Sequence, residues 1–556
     1  MPRSPSAPPP APPPAPAILI SNATVVDGTG APRRRADVVV RQGRIAQIAA
    51  AGSLDAAGSG AGQGIDASSL VLCPGFIDMH AHSDLQLLVN PAHYAKISQG
   101  VTTELLGQDG LSYAPVDNGV LAGMRAQIAG WNDDPPDFNF SWRTVGEYLD
   151  RLDQGIALNA AYLVPQGTVR AMVVGFGQDE ASPAQLAQMQ ELVRQGMAEG
   201  AVGMSSGLTY TPGMYASTAE LVALCRTVAQ AGGFYAPHQR SYGKGALQAY
   251  REMIEVARAS GCPLHLTHAT MNFAPNRGRA KELLELVDQA VDDGVDVTLD
   301  TYPYLPGATT LSAILPSWAS SGGTEAALGR LEDPDALAAI RQDVEVNGSD
   351  GCHGVVADWD TIEISGARNQ DLAGCVGKTI AGLALESSRE PFAVFVDILR
   401  RDRMATGILQ HVGDEDNVRA IMKHPRHTGG SDGILVGAKP HPRAWGTFPR
   451  YLGHYSRDLG LLSLEDTIHH LTGRPAARLM LDRRGLIRAG FAADLVLFDP
   501  QTIRDTATFE NPRQNAAGIH YVFVNGTAAI DAGVPSGALA GRALRHSPEG
   551  KTRAHD

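Results

Sequence analysis

Residues 263–304, PLHLTHATMNFAPNRGRAKELLELVDQAVDDGVDVTLDTYPY, decide the fold. A short β-rich run, PLHLTHAT, is followed by a helical stretch, RAKELLELVDQAVDDG, and then by a second β-rich run, VDVTLDTYPY. Strand, helix, strand in this order implies parallel strands joined by a crossover helix. Gly294, just past the helix, fits a C-cap. The unit recurs upstream. AAYLVPQGT precedes SPAQLAQMQELVRQGMAEG, AVGMSSGL precedes STAELVALCRTVAQAGG, and FYAPHQR precedes ALQAYREMIEVARASG. So many units within ~400 residues make a (β/α)8 TIM barrel the leading architecture. A doubly wound sheet is the alternative, but no GxGxxG or P-loop sequence supports it.

The flanks read differently. ILISNATVVDGTG and ADVVVRQGRIAQIA near the start, and GLIRAGFAADLVLFDP and HYVFVNGTAAI near the end, alternate apolar and polar residues around Gly and Asp turns. Two distant segments of matching texture predict one small β-sandwich built by both chain ends. The expected organisation is a Pro-rich disordered tail (1–17), the N-terminal portion of the sandwich (18–70), the barrel (71–480), the C-terminal portion of the sandwich (481–545) and a C-terminal tail (546–556).

At 44% apolar and 19% charged residues, the chain can bury a large core. A net charge of −13 disfavours nucleic acid as a partner, since phosphate binding needs clustered Lys and Arg. No apolar stretch reaches the ~18 residues of a membrane span. The N-terminal MPRSPSAPPPAPPPAP lacks the apolar region of a secretion signal. Cys73, Cys225, Cys262, Cys352 and Cys375 are scattered and form no CxxC pair, which points to a reducing, cytoplasmic setting.

In a barrel, chemistry sits at the C-terminal ends of the strands. GFIDMHAHSD (75–84) ends an apolar run in His80 and His82, which strand alternation would put on one face with Asp78 and Phe76. VTTELLGQDG ends near Asp109, FYAPH in His238, PLHLTH in His268, and TLDTYPY in Tyr302 and Tyr304. HTGGSDGILVG holds Asp432 between glycines. Singly, each histidine reads more simply as structural. Together, four histidines and two aspartates at strand ends read as a metal site suited to zinc or its borderline neighbours.

These stretches, with ISQGVTTELLGQDGLSYAPV, GAVGMSSGLTYTPGMYASTAEL, KPHPRAWGTFPRYLG and LSLEDTIHHLTGRPAARLML in order, resemble the amidohydrolase superfamily, specifically the N-acyl-D-amino-acid deacylases (D-aminoacylases). The resemblance covers nearly the whole chain after the Pro-rich tail. It implies His80, His82, His238, His268 and Asp432 as ligands of one or two Zn2+ ions, with Mn2+ or Co2+ as alternatives. It also implies Asp432 as the residue that moves a proton from a metal-activated water to the leaving amine. Ser205 and Ser206 lie in GMSSGL, which is no GxSxG elbow, and read as loop or packing residues.

Four positions depart from that family. Asp109 stands where the family has a Cys ligand; a carboxylate there stays anionic and able to bridge two metals, while the plainer reading is a turn Asp before Gly110. Gln166 replaces a His of a Gly-His-Gly turn and is assigned with Tyr302 and Arg443 to substrate binding. Thr270 replaces a Lys, and a Ser is absent near Ala308. The resemblance places the last two positions at the substrate carboxylate, so that anchor is thinned to Tyr302 and Arg443. The function read from the sequence is metal-dependent hydrolysis of an amide in a small N-acyl substrate, such as an N-acyl-D-amino acid. A cyclic-amide or small-dipeptide hydrolase is the alternative. A non-catalytic barrel used as an assembly module ranks below both, because the ligands persist. Oligomeric state stays open, with a homo-oligomer allowed.

Overall fold

The computed structural model describes residues 17–55, 61–547 and 549–554. Apart from Ala17, the Pro-rich tail lies outside the described residues. Eight parallel strands form the central sheet: β1 (Phe76–Asp78), β2 (Val101–Leu106), β3 (Asn159–Pro165), β4 (Gly203–Gly207), β5 (Phe234–His238), β6 (Leu264–Leu266), β7 (Val297–Thr301) and β8 (His427–Gly429). Each pairs with the next. The ring closes between β1 and β8, where the Met79 amide donates to Gly429 O at 3.1 Å and Ala81 bridges Gly433 in parallel. This is the expected TIM barrel.

The crossover helices carry the local signals that start helices. Ser182 caps Pro183–Ala198: its Oγ accepts from the Gln185 amide, and Gln185 Oε1 accepts the Ser182 amide in return, with Pro183 in the first turn. Strand period sorts the core. Ile77 faces a cluster inside the barrel with Leu105, Leu163 and Ala236, while Phe76 points outward and stacks on Phe448 at 5.7 Å.

Both chain ends build one nine-stranded sheet, in which Val71–Pro74 pairs antiparallel with Leu495–Phe498. Here alternation serves two cores. Leu72, Leu495 and Leu497 join the sheet's own cluster, whereas Val71, Cys73, Val496 and Phe498 face the main barrel cluster. A strand buried on both faces reads as a continuous apolar run, as DLVLF does.

Two boundaries differ from the expected ones, and the barrel segment contains an insert. Val71–Pro74 belongs to the nine-stranded sheet, because its backbone pairs with Leu495–Phe498, so the barrel starts at β1. The C-terminal tail is in part structured: Leu544–His546 pairs with Thr552–Ala554, and Leu544 packs into the inner cluster at the N-terminal ends of the strands, where Ala543 bridges Ala160. Between β7 and β8 lies an insert that the single-barrel reading does not separate. Its strands Gly307–Thr310, Gly407–Gln410 and Ile362–Gly366 form an antiparallel sheet over a core of its own, with Leu311, Ile364 and Phe395 at 0% exposure. Its helices, Thr324–Glu332, Pro334–Gln342 and Pro391–Arg401, share the amphipathic texture of barrel helices, so periodicity cannot tell them apart.

Candidate metal centre

β1 ends at Asp78, so the turn beyond the strand, and not strand alternation, brings His80 and His82 together. The Asp78 side chain accepts the His80 amide at 3.2 Å but is not directed at the two imidazoles. It accepts from Lys96 Nζ at 2.6 Å and from the Ser431 amide at 2.8 Å. His80 and His82 lie in the turn beyond the strand, pinned by Asp432 N–H donating to His80 O at 2.8 Å and His82 N–H to Gly433 O at 3.3 Å.

Asp109 sits at the hub of four imidazoles. Its Oδ1 lies 3.5 Å from His80 Nε2 and 3.4 Å from His268 Nε2. Its Oδ2 lies 3.5 Å from His82 Nε2 and 3.4 Å from His238 Nδ1. Asp432 Oδ1 is 3.1 Å from His82 Nε2 and 3.7 Å from His80 Nε2. The structure therefore gathers all six residues expected to bind metal.

The backbone is bent to achieve this. Asp109 (φ 55°), His268 (φ 33°) and Asp432 (φ 48°) all occupy left-handed conformations, a region that non-glycine residues seldom enter and that clusters at functional sites. Gly107 allows the turn before Asp109: at φ 76°, a Cβ there would fall 2.2 Å from Leu163 O. Ser205, at the middle of β4, holds the same turn by accepting the Gly110 amide at 3.0 Å and donating to Gly107 O. That is the packing role expected of it.

Other side chains orient the ring nitrogens turned away from Asp109. Thr209 Oγ1 lies 2.7 Å from His238 Nε2, and Tyr242 OH lies 2.8 Å from His268 Nδ1. Asp300 Oδ1 accepts the His268 amide at 2.9 Å. Sequence reasoning missed these partners, which matter because ligand orientation depends on them. One signal was visible: Asp300 interrupts the apolar β7 run VTLDT. Charge is shared unevenly. Burial pushes His80 down to about 3. Burial also disfavours charge on His268, yet neighbouring Asp109 lifts it to about 9. The carboxyl of Asp109, despite burial, is held well below the usual range by His238 and His80.

The residues fit a metal. Among the described residues, two ligand groups are close enough to hold an ion, His80–Asp109–His268 and His80–His82–Asp432, with ligand atoms within 4.8 Å of one another. Asp109 Oδ1 is buried without a hydrogen-bond partner. Imidazole and carboxylate donors at this density suit zinc and similar ions.

The site opens into a cavity, part of it exposed to solvent and roofed by the insert through Gly307, Ala313, Ile314, His353 and Gln410. Tyr302, Thr270 and Ala308 line it. Arg443 lies beneath Tyr302, with its guanidinium carbon 4.3 Å from the ring centroid. His80 and Arg443 meet the cavity through Asp432, which lines it, and Gln166 does not line it either. Gln166 starts the helix Gln166–Val173 and donates to Glu220 Oε1 at 3.2 Å, because that buried carboxylate and Arg170 draw it away. Tyr304 also turns away, towards Arg450 and Asp505.

The amidohydrolase family profile matches residues 63–529. The chain belongs to the amidohydrolase family. The D-aminoacylase of Alcaligenes xylosoxydans xylosoxydans is 36% identical over 530 residues, covering 95% of this chain and 97% of its own. A D-aminoacylase structure described for its binuclear metal center superposes with a TM-score of 0.79 at 35% identity, over 95% of this chain and 99% of that one. The N-acyl-D-glutamate deacylase from Bordetella bronchiseptica, complexed with zinc and a phosphonate mimic of the tetrahedral intermediate, gives 0.80 at 32% identity over the same shares. This amidohydrolase is thus a metal-dependent enzyme related to the N-acyl-D-amino-acid deacylases, with their barrel and added sheet.

Proposed function

We propose that this amidohydrolase cleaves the amide bond of an N-acyl-D-amino acid or a related N-acyl compound. The observation that carries the reading is the placement of Asp109, each carboxylate oxygen facing two histidines, beside Asp432. His80, His82, Asp109, His238, His268 and Asp432 would hold one or two Zn2+ ions, with Mn2+ or Co2+ as competitors. A divalent ion there supplies Lewis acidity, lowering the pKa of a water towards ~7 and polarising the amide carbonyl.

Asp432 takes the proton of the attacking water and delivers it to the departing amine nitrogen. Tyr302 and Arg443 orient the substrate carboxylate. Arg443 is 0% exposed, and its Nε and Nη1 have no hydrogen-bond partner, so donors remain for a bidentate grip. The organic acid and amine leave separately. Five unpaired cysteines support a reducing compartment, the cytoplasm. No helix among the described residues is long and apolar enough to cross a membrane. We take a small molecule as the partner and leave room for a homo-oligomer.

The test is amine release by zinc-loaded protein from matched N-acyl-D- and N-acyl-L-amino acids, with metal content measured alongside. Hydrolysis of the D series supports the reading. A metal-loaded protein inert to the whole panel overturns it, and preference for the L series overturns its stereochemical part.

A further inference from the structure

Beside the metal centre lies a second chamber, partly open to solvent. Trp131, Thr209, Tyr210 and Ala313 stand between the two and border both. Its farther wall combines apolar Leu111, Ile128, Met214, Leu315, Ala327 and Met404 with uncharged polar side chains such as Gln127 and Ser312. No charged residue lines it among the described residues.

Two independent series of contacts fix where it lies. The strand Gly307–Thr310 runs from Tyr302 to the chamber. A Cβ on Gly307 would sit 3.7 Å from Tyr302 OH, Thr309 Oγ1 is 2.9 Å from Tyr210 OH, and Thr310 lines the second chamber. At ~3.3 Å per residue, that is a span of roughly 10 Å. The other series crosses the metal ligands. Arg443 meets Asp432 at 2.8 Å, Asp432 meets His82 at 3.1 Å, and the His82 ring lies 5.0 Å from that of Trp131, which borders the chamber. The carboxylate anchor and the chamber therefore meet the ligand cluster at different residues, Asp432 and His82.

This arrangement sorts the parts of a substrate, and the argument rests on the deacylase reading. With the carboxylate at Arg443 and Tyr302 and the amide over the ligands, the acyl group extends away from the anchor, past Trp131 and Tyr210. The amino-acid side chain faces Phe273, Ile314 and Val412 in the first cavity. We infer that the second chamber binds the apolar chain of the acyl group, and that the preferred substrates carry medium to long aliphatic acyl groups rather than acetyl. Burying a methylene contributes about 0.8 kcal/mol, or about fourfold in kcat/KM.

The experiment compares kcat/KM for N-acetyl, N-butanoyl, N-hexanoyl and N-octanoyl forms of one D-amino acid with zinc-loaded enzyme. The octanoyl form is expected to exceed the acetyl form at least about tenfold. Ala327→Trp, which fills the chamber, should lower the octanoyl-to-acetyl ratio about tenfold, and the milder Ala327→Leu should lower it in the same direction if the Trp variant does not fold. A wild-type ratio at or below one, with N-acetyl hydrolysis intact, overturns the assignment. Calorimetry with sodium octanoate separates this inference from the reading beneath it. If no N-acyl-D-amino acid of any length is cleaved, yet octanoate binds and Ala327→Leu weakens that binding, the deacylase reading falls and the chamber's assignment stands. If octanoate also fails to bind, both fall.

Discussion

Arg443 Nη2 lies 2.8 Å from Asp432 Oδ2, and both side chains are buried. Burial raises the Asp432 carboxyl, but Arg443 and the His82 contact outweigh it and hold the group well below the ordinary carboxylate range. One guanidinium thus serves two tasks in the proposed reaction: it steadies the proton-carrying carboxylate and grips the substrate acid.

Asp432→Asn keeps the size of the side chain and removes its basicity. Turnover should fall at least ~100-fold, the lower range for a general acid–base group. Steady-state kinetics, with zinc content measured in the same samples, checks this. Near-normal turnover would assign the proton to another residue.

Asp109→Ala removes the carboxylate shared by four imidazoles. Bound zinc and activity should both drop. Asp109→Cys should shift preference towards zinc over manganese, since a thiolate is the softer ligand. Metal analysis after dialysis against mixed ions reads both effects. Unchanged metal content in the Ala variant would leave Asp109 as a turn residue.

Thr270 and Ala308 both line the cavity beside Tyr302, so the two positions where the acid anchor is thinned fall inside the binding space. Each hydrogen bond to a charged group contributes roughly 1–3 kcal/mol. The free acid should therefore be favoured over the matching carboxamide by less than ~100-fold in kcat/KM, about 2.7 kcal/mol. A larger preference would mean that another basic group grips the acid.

Lys96 is fully buried between two carboxylates, 2.6 Å from Asp78 and 3.0 Å from Glu104. Its Nζ also donates to Ser431 Oγ at 2.7 Å, next to Asp432. Lys96→Met leaves Asp78 without its cation and Glu104 with His93 alone. A loss of about 3–5 kcal/mol is expected in urea unfolding, the range for breaking a buried pair. A change within ~1 kcal/mol would show that the network neutralises itself by protonation.

Glu363 joins the insert's own His411, at 2.9 Å, to Lys439 of the loop after β8, at 2.8 Å. The His411 hydrogen bond, with Lys439 and against partial burial, lowers its pKa from 4.5 to about 2. A depressed carboxyl contributes stability that is present above pH 4.5 and fades as pH falls towards 2. Glu363→Gln should therefore cost about 1 kcal/mol at pH 6, after allowance for solvent screening, and progressively less below pH 4.5. Urea unfolding across pH 7 to 2.5 measures the gap between the two proteins. A gap that widens in acid would reverse the sign and discard the account.

The barrel was legible because the βα unit repeats, and the candidate ligands because a His or Asp lies at or within three residues of the ends of β1, β2, β5, β6 and β8. Alternation failed at His80 for a definite reason: β1 stops at Asp78, and bonds to Gly429 and Gly433 steer the residues beyond it. Gln166 misled because its partner, Glu220, comes from another helix, and no local pattern signals such a contact. The insert was hidden by helices that look like those of the barrel. Tyr242 and Thr209 were invisible because a hydroxyl aimed at an imidazole leaves no periodic trace.

The seam between Val71–Pro74 and Leu495–Phe498 joins strands made early and late in translation. At roughly 5–20 residues per second, the first waits some tens of seconds for the second. Through that interval Leu72 and Cys73 have no strand from the chain's far end against them. Nascent chains of this enzyme therefore pass through a long stage with an unpaired, apolar edge, which makes crowding on polysomes, rather than the finished protein, the step most exposed to aggregation.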